Sequence, residues 1–168
     1  MLTGKLNTEL IIYLILVIAA MMTGFLDDCS RAPWGELKKG LLDFVIAVML
    51  AVTYLNFNSS DIYMVTINQT VHINPILFGV LAVILIWVSI NVTNCADGVD
   101  GLSGTLTIVT LMSIYVINKM LYIDSRFSYF ILLFVICILG YLWYNATPSV
   151  LMMGDAGSRA MALFISIA

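Results

Sequence analysis

Residues 75–104 read PILFGVLAVILIWVSINVTNCADGVDGLSG, an apolar run that ends near Thr93 and passes directly into two aspartates and three glycines. The run is close to the roughly 20 residues that a membrane-spanning helix needs. A charged side chain at the bilayer centre costs about 2.5–3.5 kcal/mol on insertion scales, so acids at membrane depth are candidates for function. Asp97 and Asp100 therefore mark a candidate site at the end of a span.

The composition identifies the class of protein. Of the 168 residues, 62% are hydrophobic and only 10% are charged, whereas soluble domains carry about 25% charged residues. The sequence has no basic run, so a nucleic-acid partner is not predicted. Its three cysteines are scattered, and they predict neither a disulfide framework nor a zinc site. The composition predicts an integral membrane protein.

The chain divides into six apolar segments, which predict an all-α integral membrane protein with about six transmembrane helices. We treat residues 1–168 as one partial transmembrane domain. The last segment is still apolar at Ala168 with no capping residue, so we expect the chain to be a fragment. The predicted spans are residues 10–26, 41–57, 75–93, 102–118, 127–144 and 149–168.

Residues 61–74 alternate between apolar and polar side chains, which predicts a short β-hairpin outside the bilayer. Asn68 and Gln69 are the expected turn residues. The single histidine, His72, falls in this hairpin, and we expect it to be a surface residue rather than a metal ligand.

Alternating spans bring the polar motifs to one side of the membrane. The motifs Asp27–Asp28, Asn94–Asp100, Asn145 and Gly154–Asp155 share that side, and the hairpin lies on the other. The distribution of lysine and arginine favours the acidic side as cytoplasmic. Each motif alone also has a structural explanation, as a helix end, a glycine turn or a helix cap, but their common side favours a site.

Clustered carboxylates repel one another unless a cation joins them. Hard oxygen ligands favour Mg²⁺ or Mn²⁺, and Mg²⁺ usually takes one or two carboxylates together with phosphate oxygens and waters. Glycines and helix N-termini favour bound phosphate. The acidic face therefore predicts Mg²⁺-assisted phosphoryl transfer between a soluble phosphate ester and a lipid phosphate. The sequence has no GxxxxGK[ST] motif, so it is not a P-loop ATPase.

Three motifs carry a resemblance to a known family. They are GFLDD at 24–28, NVTNCADGVDGLSG at 91–104 and GYLWYNATPSVLMMGDAGS at 140–158. In this order they resemble the polyprenyl-phosphate N-acetylhexosamine-1-phosphate transferases, of the glycosyltransferase family 4 type. The WYNATP stretch and the hairpin favour the branch that serves peptidoglycan synthesis over the branches that transfer N-acetylglucosamine 1-phosphate.

The resemblance implies an activity, a cofactor and partners. The activity would be transfer of phospho-MurNAc-pentapeptide from UDP to undecaprenyl phosphate, giving lipid I and UMP. The cofactor would be Mg²⁺. The partners would be the UDP-linked sugar-peptide, the polyprenyl phosphate, the inner membrane of a bacterial cell and a second copy of the chain in a homodimer.

The resemblance also implies roles for individual residues. Asp155 would bind Mg²⁺ together with Asp28, and Asp27 or Asp28 would deprotonate the lipid phosphate or help to hold the metal. Lys39 or Lys38 would hold phosphate. The residues expected to line the nucleoside and sugar site are Asn94, Asp97, Asp100, Asn145 and Met152, the last where the family usually has a phenylalanine.

The sequence departs from the family in its missing segments. The family has about ten spans, and its amino-terminal spans and later histidine loop have no counterpart here. We therefore expect residues 1–168 alone to give negligible transferase activity. The alternatives are a UDP-GlcNAc:undecaprenyl-phosphate GlcNAc-1-phosphate transferase, a non-catalytic membrane fragment, and an ion-binding or transporting membrane protein, which would place its acids near mid-span. Asp43, a few residues into the second span, is expected to be an interfacial or helix-start residue.

Overall fold

A computed structural model describes residues 8–32, 34–64, 67–121 and 125–168, the side chains of residues 125 and 126 excepted. These residues form six helices and one two-stranded sheet. In chain order the elements are α1 (Thr8–Asp28), α2 (Glu36–Phe57), β1 (Asp61–Met64), β2 (Gln69–His72), α3 (Pro75–Ala96), α4 (Leu102–Met120), α5 (Ser125–Asn145) and α6 (Gly154–Ile167).

The helices confirm the predicted fold class. Within the described ranges, the first five helices are long and apolar enough to cross a membrane. Local chemistry fixes where α3 starts: the side-chain oxygen of Asn74 accepts a hydrogen bond from the Ile76 N–H at 2.9 Å, and Pro75 takes the first helical position. The protein is an all-α membrane protein with a small antiparallel sheet.

The sixth helix is shorter than the apolar segment that predicted it. Helix α6 begins at Gly154 and has 14 residues, whereas the apolar segment starts at residue 149. Residues 149–153 are held in a loop because Asn145 donates a hydrogen bond to the Leu151 carbonyl at 2.9 Å. Gly154, the first residue of α6, takes a left-handed conformation with φ of 68°.

Helix α6 is the centre of the bundle. It packs against α1, α3 and α4, and its residues contribute to two apolar cores. Ala162 and Leu163 join side chains of α1, α2 and α3. Met161 and Phe164 join side chains of α4 and α5, where the Phe164 ring stacks on Phe134 with ring centroids 4.1 Å apart. This central position matters because α6 begins with the GDAGS motif.

The hairpin between α2 and α3 has the predicted strands but a different turn. The register pairs Asp61 with His72 and Met64 with Gln69, so Gln69 belongs to β2 and the predicted Asn68–Gln69 turn is wrong. Asn68 does lie in the turn, with φ of 53°, a conformation that asparagine tolerates well. Ile67 lies in the turn rather than in a strand, while Val65 and Thr66 lie outside the described residues.

Candidate functional site

The polar motifs meet at one end of the bundle, which we call the acidic end. It comprises the C-termini of α1, α3 and α5 and the N-termini of α2, α4 and α6. Hydrogen bonds and ion pairs link all six helix termini directly or through a shared partner. The predicted convergence of the motifs on one face is therefore what the fold produces.

Lys39 connects the first motif to the last. Its ammonium nitrogen lies 2.6 Å from Asp27 Oδ2 and 3.1 Å from Asp155 Oδ2. Asp27 is buried, and its other oxygen accepts a hydrogen bond from the Trp34 N–H at 2.7 Å. Lys38 instead lies over the Trp34 ring, 3.4 Å from the ring centroid. Of the two candidate lysines, only Lys39 contacts the acidic motifs.

Asp28 accepts hydrogen bonds from the N-terminus of α6. The backbone N–H groups of Asp155 and Ala156 donate to its two oxygens at 3.4 and 3.2 Å. Two glycines allow this approach: a Cβ on Gly154 would lie 2.6 Å from Asp28 Oδ2, and a Cβ on Gly24 would lie 2.4 Å from the Asp155 carbonyl. The exposed N–H groups of a helix N-terminus favour negative charge, so here they stabilise a carboxylate.

Asp97 ties the central motif to the same helix start. It is buried and accepts hydrogen bonds from the Ser103 hydroxyl at 2.8 Å and from the Gly154 N–H at 3.1 Å. Asn94, one turn earlier on α3, accepts a hydrogen bond from the Ser158 hydroxyl at 3.4 Å. These contacts place Asp97 and Asn94 within the site and give both a role in holding α6.

Asn145 and Asp100 shape the loop before α6. Asn145 is buried, and its amide oxygen accepts a hydrogen bond from the Gly101 N–H at 2.9 Å. Asp100 is exposed and accepts from the Ser149 N–H at 3.2 Å. Met152 is exposed on the same loop. The predicted contacts of these residues with a nucleoside stay predictions.

A groove opens beside Asp100, between the start of α4 and the end of α5. Its volume is about 410 Å³. Met152 does not line it. The lining residues are Val99, Asp100, Gly101, Leu102, Thr105, Leu142, Ala146 and Thr147.

Sequence reasoning missed an ion pair beneath the site. Asp43 was expected to be an interfacial or helix-start residue, but it is only 4% exposed and its Oδ1 lies 2.6 Å from a guanidinium nitrogen of Arg159. Arg159 is only 1% exposed. The available signal was a single arginine inside an apolar segment, because such a residue needs a buried partner.

The acidic end fits Mg²⁺ in part. One linked set of side chains there has five carboxylates and two cations, and its three excess negative charges are partly offset by the N–H groups at the start of α6. Its members are Asp27, Asp28, Asp43, Asp97, Asp155, Lys39 and Arg159. In the part of the chain that the structure describes, no three His, Cys, Asp or Glu residues converge as a ready-made metal cage. Because Mg²⁺ commonly takes one or two carboxylates plus phosphate oxygens and waters, Asp28 and Asp155 are candidate protein ligands.

Comparison with known sequences identifies a family. Residues 10–168 match the profile of the family described as glycosyl transferase family 4. Phospho-N-acetylmuramoyl-pentapeptide-transferases from two strains of Treponema pallidum are each 40% identical to this chain, over 92% of it and 47% of their own length.

More distant relatives carry the same name. The protein from Fervidobacterium nodosum is 29% identical over 85% of this chain and 45% of its own, and that from Wolbachia pipientis wMel is 26% identical over 99% and 53%. The chain thus spans about half the length of the curated relatives it matches.

Proposed function

Because the chain belongs to glycosyl transferase family 4, we propose that the complete protein transfers phospho-MurNAc-pentapeptide from UDP to undecaprenyl phosphate, giving lipid I and UMP. The names of the similar proteins specify transfer of a phospho-N-acetylmuramoyl-pentapeptide group, which supports this part of the proposal. Multiple apolar helices and these bacterial relatives make the chain a bacterial multi-pass membrane protein.

The observation that carries the proposal is the convergence of three motifs on the start of α6. Asp28 at the end of α1, Lys39 in α2 and Asp97 at the C-cap of α3 all contact residues 154–156. A transfer between two phosphate groups needs little covalent chemistry from the protein, since positioning and charge stabilisation provide most of the catalysis. A cationic lysine among carboxylates at a helix N-terminus supplies both.

The burial of the paired aspartates divides their roles. Asp27 is buried and ion-paired with Lys39, so it holds the lysine in place. Asp28 is exposed, and we assign to it the approach to the lipid phosphate. Lys39, whose side chain is 19% exposed, is the cation that a phosphate of the donor can reach.

The proposed cofactor is Mg²⁺, held by Asp28 and Asp155. When bound, it would neutralise charge on the pyrophosphate during transfer. Asp155 also contacts Lys39, so the position of this carboxylate depends on the lysine.

An exchange reaction tests the proposal directly. Membranes containing the complete protein and undecaprenyl phosphate should incorporate radiolabelled UMP into UDP-MurNAc-pentapeptide, and Asp28→Asn should abolish the exchange. A parallel reaction with UDP-GlcNAc tests the alternative donor. Exchange with UDP-GlcNAc alone would assign the chain to the GlcNAc-1-phosphate branch, and exchange with neither donor would refute the proposal.

We further propose that the acidic end faces the cytoplasm. Cys29 and Cys95 are exposed next to the acidic motifs, so a membrane-impermeant maleimide added to whole cells should label neither. A cysteine placed at Ser60, beside the hairpin, should be labelled. Labelling of Cys29 from outside would reverse the orientation.

A further inference from the structure

Arg159 lies between two carboxylates on different helices. One of its terminal nitrogens is 2.6 Å from Asp43 Oδ1 on α2, and the other is 3.5 Å from Asp155 Oδ2, one turn earlier on α6. The guanidinium therefore connects the interior of the bundle to a carboxylate of the candidate site.

The geometry uses a property that is particular to arginine. Its planar group presents several donors in a fixed fork, so one side chain can engage two acceptors at once, whereas lysine offers a compact point charge. The Nε of Arg159 is buried without a hydrogen-bond partner among the described residues. The two carboxylates, rather than a complete set of hydrogen bonds, thus set the orientation of the guanidinium.

The Asp155 carboxylate is contacted by two cations. Lys39 and Arg159 both approach its Oδ2, at 3.1 and 3.5 Å. Two cations on one oxygen restrict rotation of the carboxylate about its own bonds. This restriction distinguishes Asp155 from Asp28, whose two oxygens are both held by backbone N–H groups.

We propose that Arg159, anchored by Asp43, is a positioning residue that orients the Asp155 carboxylate for the reaction. Arg159 is buried beneath the site and reaches the reaction only through Asp155. The inference rests on the proposed function, because it assigns a purpose to the orientation of Asp155 during transfer.

The first test uses Arg159→Lys in the complete protein. Lysine can keep the ion pair with Asp43 but lacks the second arm that reaches Asp155. We expect kcat to fall by about 10-fold or more, because small misplacements of reacting groups are costly, while KM for UDP-MurNAc-pentapeptide stays within about 3-fold. An unchanged kcat would show that Arg159 serves packing alone.

A second variant keeps the proposal testable if the Arg159→Lys protein does not fold. Asp43→Leu combined with Arg159→Leu removes the buried pair as a unit, a change that proteins often tolerate. We expect a folded protein with the same loss of kcat. A folded double variant with full turnover would overturn the proposal.

A measurement independent of activity separates the two proposals. In a double-mutant cycle of Arg159→Lys and Asp155→Asn, the apparent Tm values in detergent should be non-additive by about 2 °C or more. Additive values would refute the coupling. If wild-type protein transfers neither donor but the cycle is non-additive, the proposed function fails and the orientation of Asp155 by Arg159 stands.

Discussion

The two ends of the bundle treat charge differently. At the acidic end, Asp43 and Arg159 are 116 residues apart in sequence, and their side chains are 6% and 1% exposed. At the opposite end, which we call the hairpin end because it carries β1 and β2, His72 lies 2.9 Å from Asp61, only 11 residues away, and these side chains are 79% and 39% exposed. The comparison indicates that the packing of helices distant in sequence depends on the buried ion pair at the acidic end, whereas it does not depend on the exposed pair at the hairpin end.

The largest expected effect of a single change is on the buried pair. Asp43→Asn should lower the free energy of unfolding by about 3–5 kcal/mol, because Arg159 is left buried without a carboxylate. Asp61→Asn, its counterpart at the hairpin end, should cost under about 1 kcal/mol. Denaturant unfolding in micelles measures the loss of stability in both variants. Equal losses would show that the two ends do not differ in their dependence on charge.

Asp155 should matter most for turnover. Asp155→Asn keeps the shape of the side chain but removes the charge that Lys39 and Arg159 contact, so turnover should fall by at least about 10²-fold, roughly 2.7 kcal/mol. The measurement is turnover at saturating substrate across a Mg²⁺ titration, with Asp61→Asn as the control. Near-normal turnover with an unchanged Mg²⁺ requirement would remove Asp155 from the proposed metal site and leave Asp28 with Asp27 or Asp97 as its ligands.

Two glycine substitutions test whether close packing of α1 against α6 stabilises the acidic end. Gly24→Ala should destabilise the protein by about 1–3 kcal/mol, because the added Cβ would meet the backbone of Asp155 and Ala156 and neither can move aside easily. Gly140→Ala is the matched control: the structure describes no atom within 4 Å of its added Cβ, and alanine favours a helix by up to about 1 kcal/mol. The changes in the free energy of unfolding should have opposite signs in the two variants. No change in Gly24→Ala would mean that α1 and α6 can move apart without loss of stability.

The smallest effect is expected at the hairpin. His72→Ala removes only an exposed contact with Asp61, so the free energy of unfolding should change by less than about 1 kcal/mol, and UMP exchange should be retained. A larger loss, or inactive protein, would show that the hairpin end contributes to the packing of the spans.

Hydropathy was sufficient to predict that the acidic motifs lie at the same end of the bundle. Counting apolar segments placed Asp27, Asp97 and Asp155 on one side, because every crossing of the membrane reverses the direction of the chain. The same counting found the hairpin by its alternating residues, although it placed Gln69 in the turn.

The side-chain partners could not be predicted in this way. Lys38 and Lys39 are neighbours in sequence, yet successive residues point about 100° apart around a helix, so one reaches Asp155 and the other covers Trp34. Asp43 looked interfacial because its partner is in another helix and hydropathy does not report which helix faces meet. Such pairs depend on how α2 and α6 both pack against α1 and α3, which only the three-dimensional structure contains.

The distance in sequence between Asp43 and Arg159 has a consequence for biogenesis. At about 5–20 residues per second of synthesis, the 116 residues between them take roughly 6–23 s to emerge from the ribosome. During that interval α2 must enter the lipid with an aspartate whose counter-charge has not yet been made, and the apolar remainder of the helix must offset that cost. The central helix of the bundle is thus synthesised after the five described helices that precede it, and its insertion gives Asp43 its partner in the buried pair beneath the acidic end.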